Sequence, residues 1–181
     1  VFDGGKIAFS SLTSGNELKK RVVDIHWHIG STEKEGYDHF LIKEVMEQKH
    51  TIAAAINQDD AKILAVANDI KSAFGTFFVG CGTAGKTCMV AEYLFSKIAR
   101  KHINSVVASE FSNYEHYLTP KTLMIAVSQS GETADVLDAI EIAKSRAVRV
   151  VSLLNVFGST IGSKLPWGAE SKQRNRSQNA I

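Results

Sequence analysis

The chain has 181 residues, a formal net charge of +2, 44% apolar residues and 22% charged residues. That length can bury a core of its own and suits one domain with an appendage. Basic residues are scattered until the last ten positions, so no nucleic-acid surface is indicated, and no apolar run reaches the ~20 residues of a membrane helix.

Residues 1–29 read as short strands, with Val22, Ile25, Trp27 and Ile29 among polar residues and turns at Gly4-Gly5 and Ser14-Gly15-Asn16. This piece is too small to carry a sheet with its own core. Residues 30–38 are polar and glycine-bearing, as in a linker. Helical spacing begins at His39, with Phe40, Ile42, Val45 and Met46. A second helix starts at Asp59-Asp60, which supply an N-cap and an acidic first turn. It runs through Ile63, Leu64, Ala67, Ile70 and Phe74 and stops at Gly75.

Strand and helix then alternate. Thr76–Val79, Ser105–Ala108, Leu123–Val127 and Val148–Leu154 read as strands. Ala84–Lys101 and Thr133–Ser145 read as helices, the first with Val90, Tyr93, Leu94 and Ile98 inward, the second with Val136, Leu137, Ile140 and Ile142. The continuously apolar third strand suits a strand covered on both faces. The pattern predicts an α/β fold with a doubly wound parallel sheet, whose ligands bind beyond the carboxyl ends of its strands. After Ile161 the pattern stops, and residues 162–181 read as a tail.

The two cysteines, Cys81 and Cys88, are not spaced as a metal knuckle. Two thiols without a visible export signal predict a cytoplasmic chain. The first residue is Val1 rather than Met, which points to a fragment. His26 and His28 share one strand face but have no third ligand nearby, so no metal site is predicted. Glu132, Asp135 and Asp138 are read as acids complementing a helix dipole rather than as acid–base catalysts.

FFVGCGTAGKTC, residues 77–88, supports three readings. Gly80, Gly85, Lys86 and Thr87 fit a triphosphate-binding loop. Gly80, Gly82 and Gly85 fit a dinucleotide fingerprint. A strand ending in Gly80-Cys81-Gly82-Thr83 also suits a sugar phosphate. All three share the physics of backbone N–H groups and a helix dipole facing an anion. A triphosphatase also needs a strand-end carboxylate for magnesium, but the later strands end at Ser128 and Asn155. Lys86 is therefore read as a solvated first-turn residue. A dinucleotide site needs an acid about 20 positions past the loop. Glu110 stands there, although it equally suits a scaffold contact.

The third strand speaks more clearly. It ends in Ser128-Gln129-Ser130-Gly131-Glu132-Thr133 before entering a helix. Two serines, a threonine and a glutamine line one turn, and Gly131 permits close backbone approach. Hydroxyls and free N–H groups there can hold one phosphate without a metal. An N-capping turn would use only Thr133 or Ser130, one hydroxyl rather than four polar groups.

GCGT, ASEF, SQSGETADVLDAI and NVFGSTI, in this order and spacing, resemble the first sugar-isomerase (SIS) domain of the glutamine–fructose-6-phosphate aminotransferase (isomerising) family, the glucosamine-6-phosphate synthases. KEGYDHFLIKEVMEQ resembles that family's linker, and residues 1–29 resemble the last strands of its glutaminase domain. The resemblance covers roughly residues 1 to 161. It implies a flavodoxin-like three-layer αβα SIS domain over 59–161, preceded by a short β remnant and by a linker with helix over 30–58. It implies a binding site for fructose 6-phosphate or glucosamine 6-phosphate, with Ser128, Gln129, Ser130 and Thr133 around the phosphate and Cys81, Gly82 and Thr83 along the sugar. Ala84 stands where the family usually has serine, removing one hydroxyl.

The family's catalytic groups are an amino-terminal glutaminase cysteine, a glutamate after the first SIS domain, and a lysine and a histidine from later segments. None matches a position here, so no catalytic residue is assigned to this chain, and no cofactor or metal is implied. The family usually dimerises through its isomerase half, so a homodimer is implied as well. The alternatives are a free-standing SIS-domain phosphosugar sensor or regulator, and a P-loop nucleotide-binding protein. The expected family landmarks beyond Ile161, Glu-Ala and then Glu-Ile-Gly-Val, are missing in frame. Permitted codons for Gly162–Lys164 and Arg174–Gln178 give both when read one base out of frame. Residues 162–181 are therefore expected to be a frameshifted end.

Overall fold

The computed structural model describes residues 2–3, 6–19, 33–156, 158–165 and 169–170. Readings that rest on Val22, Ile25, His26, Trp27, His28, Ile29 and Trp167 lie outside these residues. Two short strands, β1 (Phe2–Asp3) and β2 (Lys6–Ile7), pair antiparallel with Phe2 opposite Ile7. Gly15, at φ +70°, turns the chain where Ser14-Gly15-Asn16 predicts it, and the Gly15 N–H donates to the Ser11 carbonyl at 2.9 Å.

Helix α1 spans Phe40–Ile56 and α2 spans Asp60–Ser72. Asp59 caps α2 as its sequence predicts, its carboxylate accepting the Ala61 N–H at 2.9 Å. The approach to α1 is fastened by Lys43, which is buried. Its Nζ donates to the Glu33 carbonyl at 2.6 Å and pairs with Glu35 at 3.1 Å and Glu47 at 3.8 Å.

The remaining elements form one sheet with helices on both faces. In chain order they are β3 (Gly75–Gly80), α3 (Gly82–Leu94), β4 (Asn104–Val107), a 3₁₀ segment (Ala108–Tyr117), β5 (Thr122–Ser128), α4 (Ala134–Ser145), β6 (Arg149–Leu154), α5 (Thr160–Lys164) and β7 (Ala169–Glu170). Helix α3 runs on into a π-helical turn over Phe95–Ala99. The sheet order is β4-β3-β5-β6-β7, with all neighbours parallel. Counted from β3, this is the flavodoxin-like order 2-1-3-4-5, whose switch point lies between β3 and β5. The doubly wound three-layer fold read from the sequence is the fold observed.

Strand alternation sorts the core into two faces. Phe77, Val79, Met124, Ala126 and Leu154 point toward the 3₁₀ segment and α4, meeting Phe111, Val136 and Ile140. Phe78, Leu123, Ile125 and Val151 point the other way, toward Ile70 of α2 and Cys88 of α3.

The inward face of α3 is not the one its large apolar residues suggest. Val90, Tyr93, Leu94 and Ile98 are exposed, Tyr93 and Ile98 by 73% and 75%. The helix turns Gly85, Cys88, Ala91 and Phe95 toward the sheet instead. The cause is a close approach. A Cβ on Gly80 would lie 3.1 Å from the backbone of Ala84 and Gly85, and one on Gly85 would lie 3.0 Å from the Gly80 carbonyl. Only small residues fit where helix and strand come this near; the bulky Phe95 meets Phe78 farther along, ring centroids 5.7 Å apart, while Val90, Tyr93, Leu94 and Ile98 face outward.

The fold also continues past Ile161. Helix α5 crosses that position, Ile161 and Leu165 are buried in the same cluster as Val136 and Ile140, and β7 pairs along β6. Ser159 caps α5, its hydroxyl accepting the Gly162 N–H at 3.5 Å. The pattern is lost in the sequence because α5 has one turn and β7 two residues, too short for a periodicity to show.

Candidate phosphosugar site

A cavity of about 230 Å³ opens at the switch point. Cys81, Thr83 and Ala84 line it from the β3–α3 turn, and Val127, Ser128, Gln129, Ser130 and Thr133 line it from the β5–α4 turn. The structure thus brings six of the seven predicted site residues together. The seventh, Gly82, is exposed at φ +55° and lets the chain turn into α3 without lining the cavity itself. Val127 is an addition, with no polar group to mark it in the sequence, and Ala84, noted beside the sugar residues for its missing hydroxyl, lines the cavity too.

Parallel pairing sets the two turns side by side, with Gly80 opposite Val127. Helices α3 and α4 therefore begin at the same place. Neither N-cap residue, Cys81 or Thr133, caps its helix with a side chain, whereas Asp59 and Ser159 cap α2 and α5. First-turn N–H groups have no intrahelical partner. Two positive helix ends thus face one cavity, a setting for an anion.

The hydroxyls of the turn are arranged around its backbone. Ser128, buried, accepts the Gly131 N–H at 3.0 Å and lies 3.0 Å from the Thr133 hydroxyl. Ser130 accepts the Glu132 N–H at 3.2 Å. Gly131 sits at φ +68°, and its carbonyl accepts the Ile161 N–H at 3.1 Å.

The acids divide in a way their order does not reveal. Asp135 is the acid in the first turn of α4, and it accepts the Cys81 thiol at 3.6 Å. Glu132 precedes that helix and serves another. Its carboxylate accepts the Thr160 N–H at 2.7 Å, at the start of α5. The Thr160 hydroxyl, and then its backbone N–H, hold the Glu132 carboxyl below its ordinary range. Reading Glu132 as a dipole partner of its own helix is thereby corrected. The link spans 28 residues, which no local pattern shows.

Burial, and then Asp135, push the Cys81 thiol up, and burial pushes Cys88 to about 11. Both stay protonated at neutral pH. Iodoacetamide should therefore modify Cys81 slowly at pH 7 and faster as pH rises, and modify Cys88 only on unfolding. Mass spectrometry after timed quenching reads this, and rapid labelling of Cys81 at pH 7 would contradict the thiol contact with Asp135.

The residues of the rival readings stand outside the cavity. Lys86 is exposed and not part of its lining. Glu110 lies in the 3₁₀ segment, accepting hydrogen bonds from Ser109 at 3.3 Å and Asn113 at 3.1 Å. Among the described residues, no group of three or more His, Cys, Asp or Glu could hold a metal ion, and no helix is long and apolar enough to cross a membrane.

A parallel sheet of this order, with a cavity at its switch point, defines a doubly wound three-layer α/β domain. The SIS domain family model matches residues 69–165, more than half of the chain, and the chain belongs to that family. It is similar to the glutamine–fructose-6-phosphate aminotransferase [isomerizing] of Methanocaldococcus jannaschii, with 39% identity over 147 residues. That alignment takes in 81% of this chain but only 13% of the relative's length, so the chain spans a small part of the relative it matches. Among solved structures, the C-terminal domain of a Francisella tularensis glucosamine-fructose-6-phosphate aminotransferase superposes with a TM-score of 0.66. Identity there is 24%, covering 78% of this chain and 41% of that one. The Vibrio vulnificus NanR protein, complexed with ManNAc-6P, superposes with a TM-score of 0.56 at 20% identity, covering 75% and 52%.

Proposed function

We propose that the chain is the sugar-phosphate-binding portion of a glutamine–fructose-6-phosphate aminotransferase (isomerising), and that its ligand is fructose 6-phosphate or glucosamine 6-phosphate. One observation carries this reading. Two helix N-termini without side-chain caps, α3 and α4, meet at a hydroxyl-lined cavity. A phosphate monoester, carrying about −1.5 to −2 charges near neutral pH, would take the first-turn N–H groups of α4 with Ser130 and Thr133. The sugar would extend toward Cys81, Thr83 and Gln129, with Gly82 shaping that end.

The hydrogen bonds on the page favour particular donors. Ser128 already accepts the Gly131 N–H. If its own proton goes to Thr133 across their 3.0 Å contact, the Thr133 proton is left for the ligand. Ser130 accepts from Glu132 and likewise keeps its proton. Ser128 then shapes the turn, while Ser130 and Thr133 touch the phosphate.

Among the described residues, the cavity lining holds hydroxyls, an amide and a thiol, and no carboxylate, lysine or histidine. The chain's own share in the reaction is to bind and orient the sugar phosphate. The binding needs neither metal nor cofactor. The reading keeps residues 1–29 as the end of a glutaminase domain, 30–58 as linker and 59–161 as the body of the first SIS domain, onto which α5 and β7 continue. It places the parent enzyme in the cytoplasm as a homodimer.

Thermal unfolding tests the site. At 100 times its Kd, one ligand adds about 2.7 kcal/mol, or roughly 5–10 °C for a chain of this size. Fructose 6-phosphate or glucosamine 6-phosphate should give such a rise and magnesium-ATP none. The double change Ser130→Ala, Thr133→Ala should remove two charge-assisted hydrogen bonds of about 1.5–3 kcal/mol each, and with them the response. A rise with magnesium-ATP alone would favour the nucleotide reading, and a response surviving the double change would put the phosphate elsewhere.

A further inference from the structure

The β5–α4 turn is held in shape from outside. Two successive N–H groups of α5 reach it. The Ile161 N–H donates to the Gly131 carbonyl at 3.1 Å, and the Thr160 N–H donates to the Glu132 carboxylate at 2.7 Å. The Gly131 carbonyl and the Glu132 N–H belong to one rigid peptide plane. Fixing the carbonyl on α5 therefore aims the Glu132 N–H at Ser130, 3.2 Å away. Ser130 is fixed in turn as the acceptor of that bond, which leaves its own proton free to be donated elsewhere. The Glu132 side chain closes the ring by gripping the residue next to the one that holds Gly131.

We propose that Glu132 is a positioning residue of the phosphate-binding turn, which it locks to α5 so that sugar-phosphate binding and the docking of α5 reinforce each other. The proposal rests on the reading of the cavity as a phosphosugar site. Helix α5 has other moorings. Ile161 and Leu165 are buried, Lys164 pairs with Glu141 at 3.0 Å, and Lys144 donates to the Lys164 carbonyl at 2.9 Å. Glu132 is exposed, so its loss leaves the core intact and frees the turn.

Charge gives the test its sign. A carboxylate next to a bound phosphate repels it, so a residue acting by charge alone would tighten binding when removed. A positioning residue weakens binding when removed. Glu132→Gln discards the charge but keeps an acceptor for the Thr160 N–H, and Glu132→Ala discards both.

The experiment is calorimetric titration of the whole chain and both variants with fructose 6-phosphate and glucosamine 6-phosphate, with hydrogen exchange at residues 158–165. Coupling of this kind typically changes affinity by 5- to 150-fold, so Glu132→Ala should weaken binding at least about fivefold. Glu132→Gln should bind as tightly as the parent chain or more so. The ligand should slow exchange at Thr160 and Ile161 in the parent chain and in Glu132→Gln, but not in Glu132→Ala. Unchanged or tighter binding by Glu132→Ala overturns the proposal alone, as does equal weakening in both variants. Absence of binding by the parent chain overturns the site reading and the proposal together.

Discussion

Replacing Gly131 by alanine should destabilise the protein by about 2–5 kcal/mol, from backbone strain and overpacking together, and abolish its sugar-phosphate response. The residue sits at φ +68°, where an L side chain is strained. The added Cβ would also lie 2.5 Å from the Cβ of Ser159. Ser159 cannot withdraw cheaply, because it is buried and its hydroxyl caps α5. Either the turn or α5 must shift; the turn lines the cavity, and α5 is bonded to the turn. Urea unfolding reads the first effect through the midpoint at constant slope. Ser159→Gly in the same chain should relieve the contact but not the backbone strain, recovering part of the loss. An unchanged midpoint in Gly131→Ala would show that the turn is not held as described.

Phe111→Ala should cost about 3–5 kcal/mol, the range for truncating a fully buried aromatic ring. That is a large part of the 5–15 kcal/mol typical of a folded domain. Phe111 has no exposed surface and meets Phe77 edge to face, their centroids 5.9 Å apart. It anchors the 3₁₀ segment over β3, on the face that α4 also covers. Removing the ring leaves a hole that the sheet below cannot close. Tyr117→Ala, in the same segment but 72% exposed, should change stability by less than about 0.5 kcal/mol. Equal losses in the two variants would mean that burial does not set the cost. The pair is compared by the same urea titration.

Much of the candidate site was legible because its polar groups are local. Ser128, Gln129, Ser130 and Thr133 fall within six residues, and a glycine among them announces a turn. The strand–helix alternation fixed the parallel sheet, and with it the edge where ligands gather. What escaped depends on partners distant in sequence. A periodic count could not choose the inward face of α3, where both faces carry apolar residues. The choice was made by the approach of Gly85 to Gly80. The role of Glu132 escaped because its partner is Thr160. Leu165 was missed because one helical turn has no period to detect.

The order of the strands has a consequence for how the protein comes into being. The two halves of the cavity, in the β3–α3 and β5–α4 turns, are separated in the chain by the rest of α3, β4, the 3₁₀ segment and β5. They meet only when β5 slots in beside β3. Such a parallel pairing must close a long stretch of chain before it gains a contact, which slows folding. The helices can form earlier, from local contacts. During refolding, helical signal should thus return before the ability to bind a sugar phosphate. The cavity is assembled by the crossover itself, and no half of the domain can carry it alone.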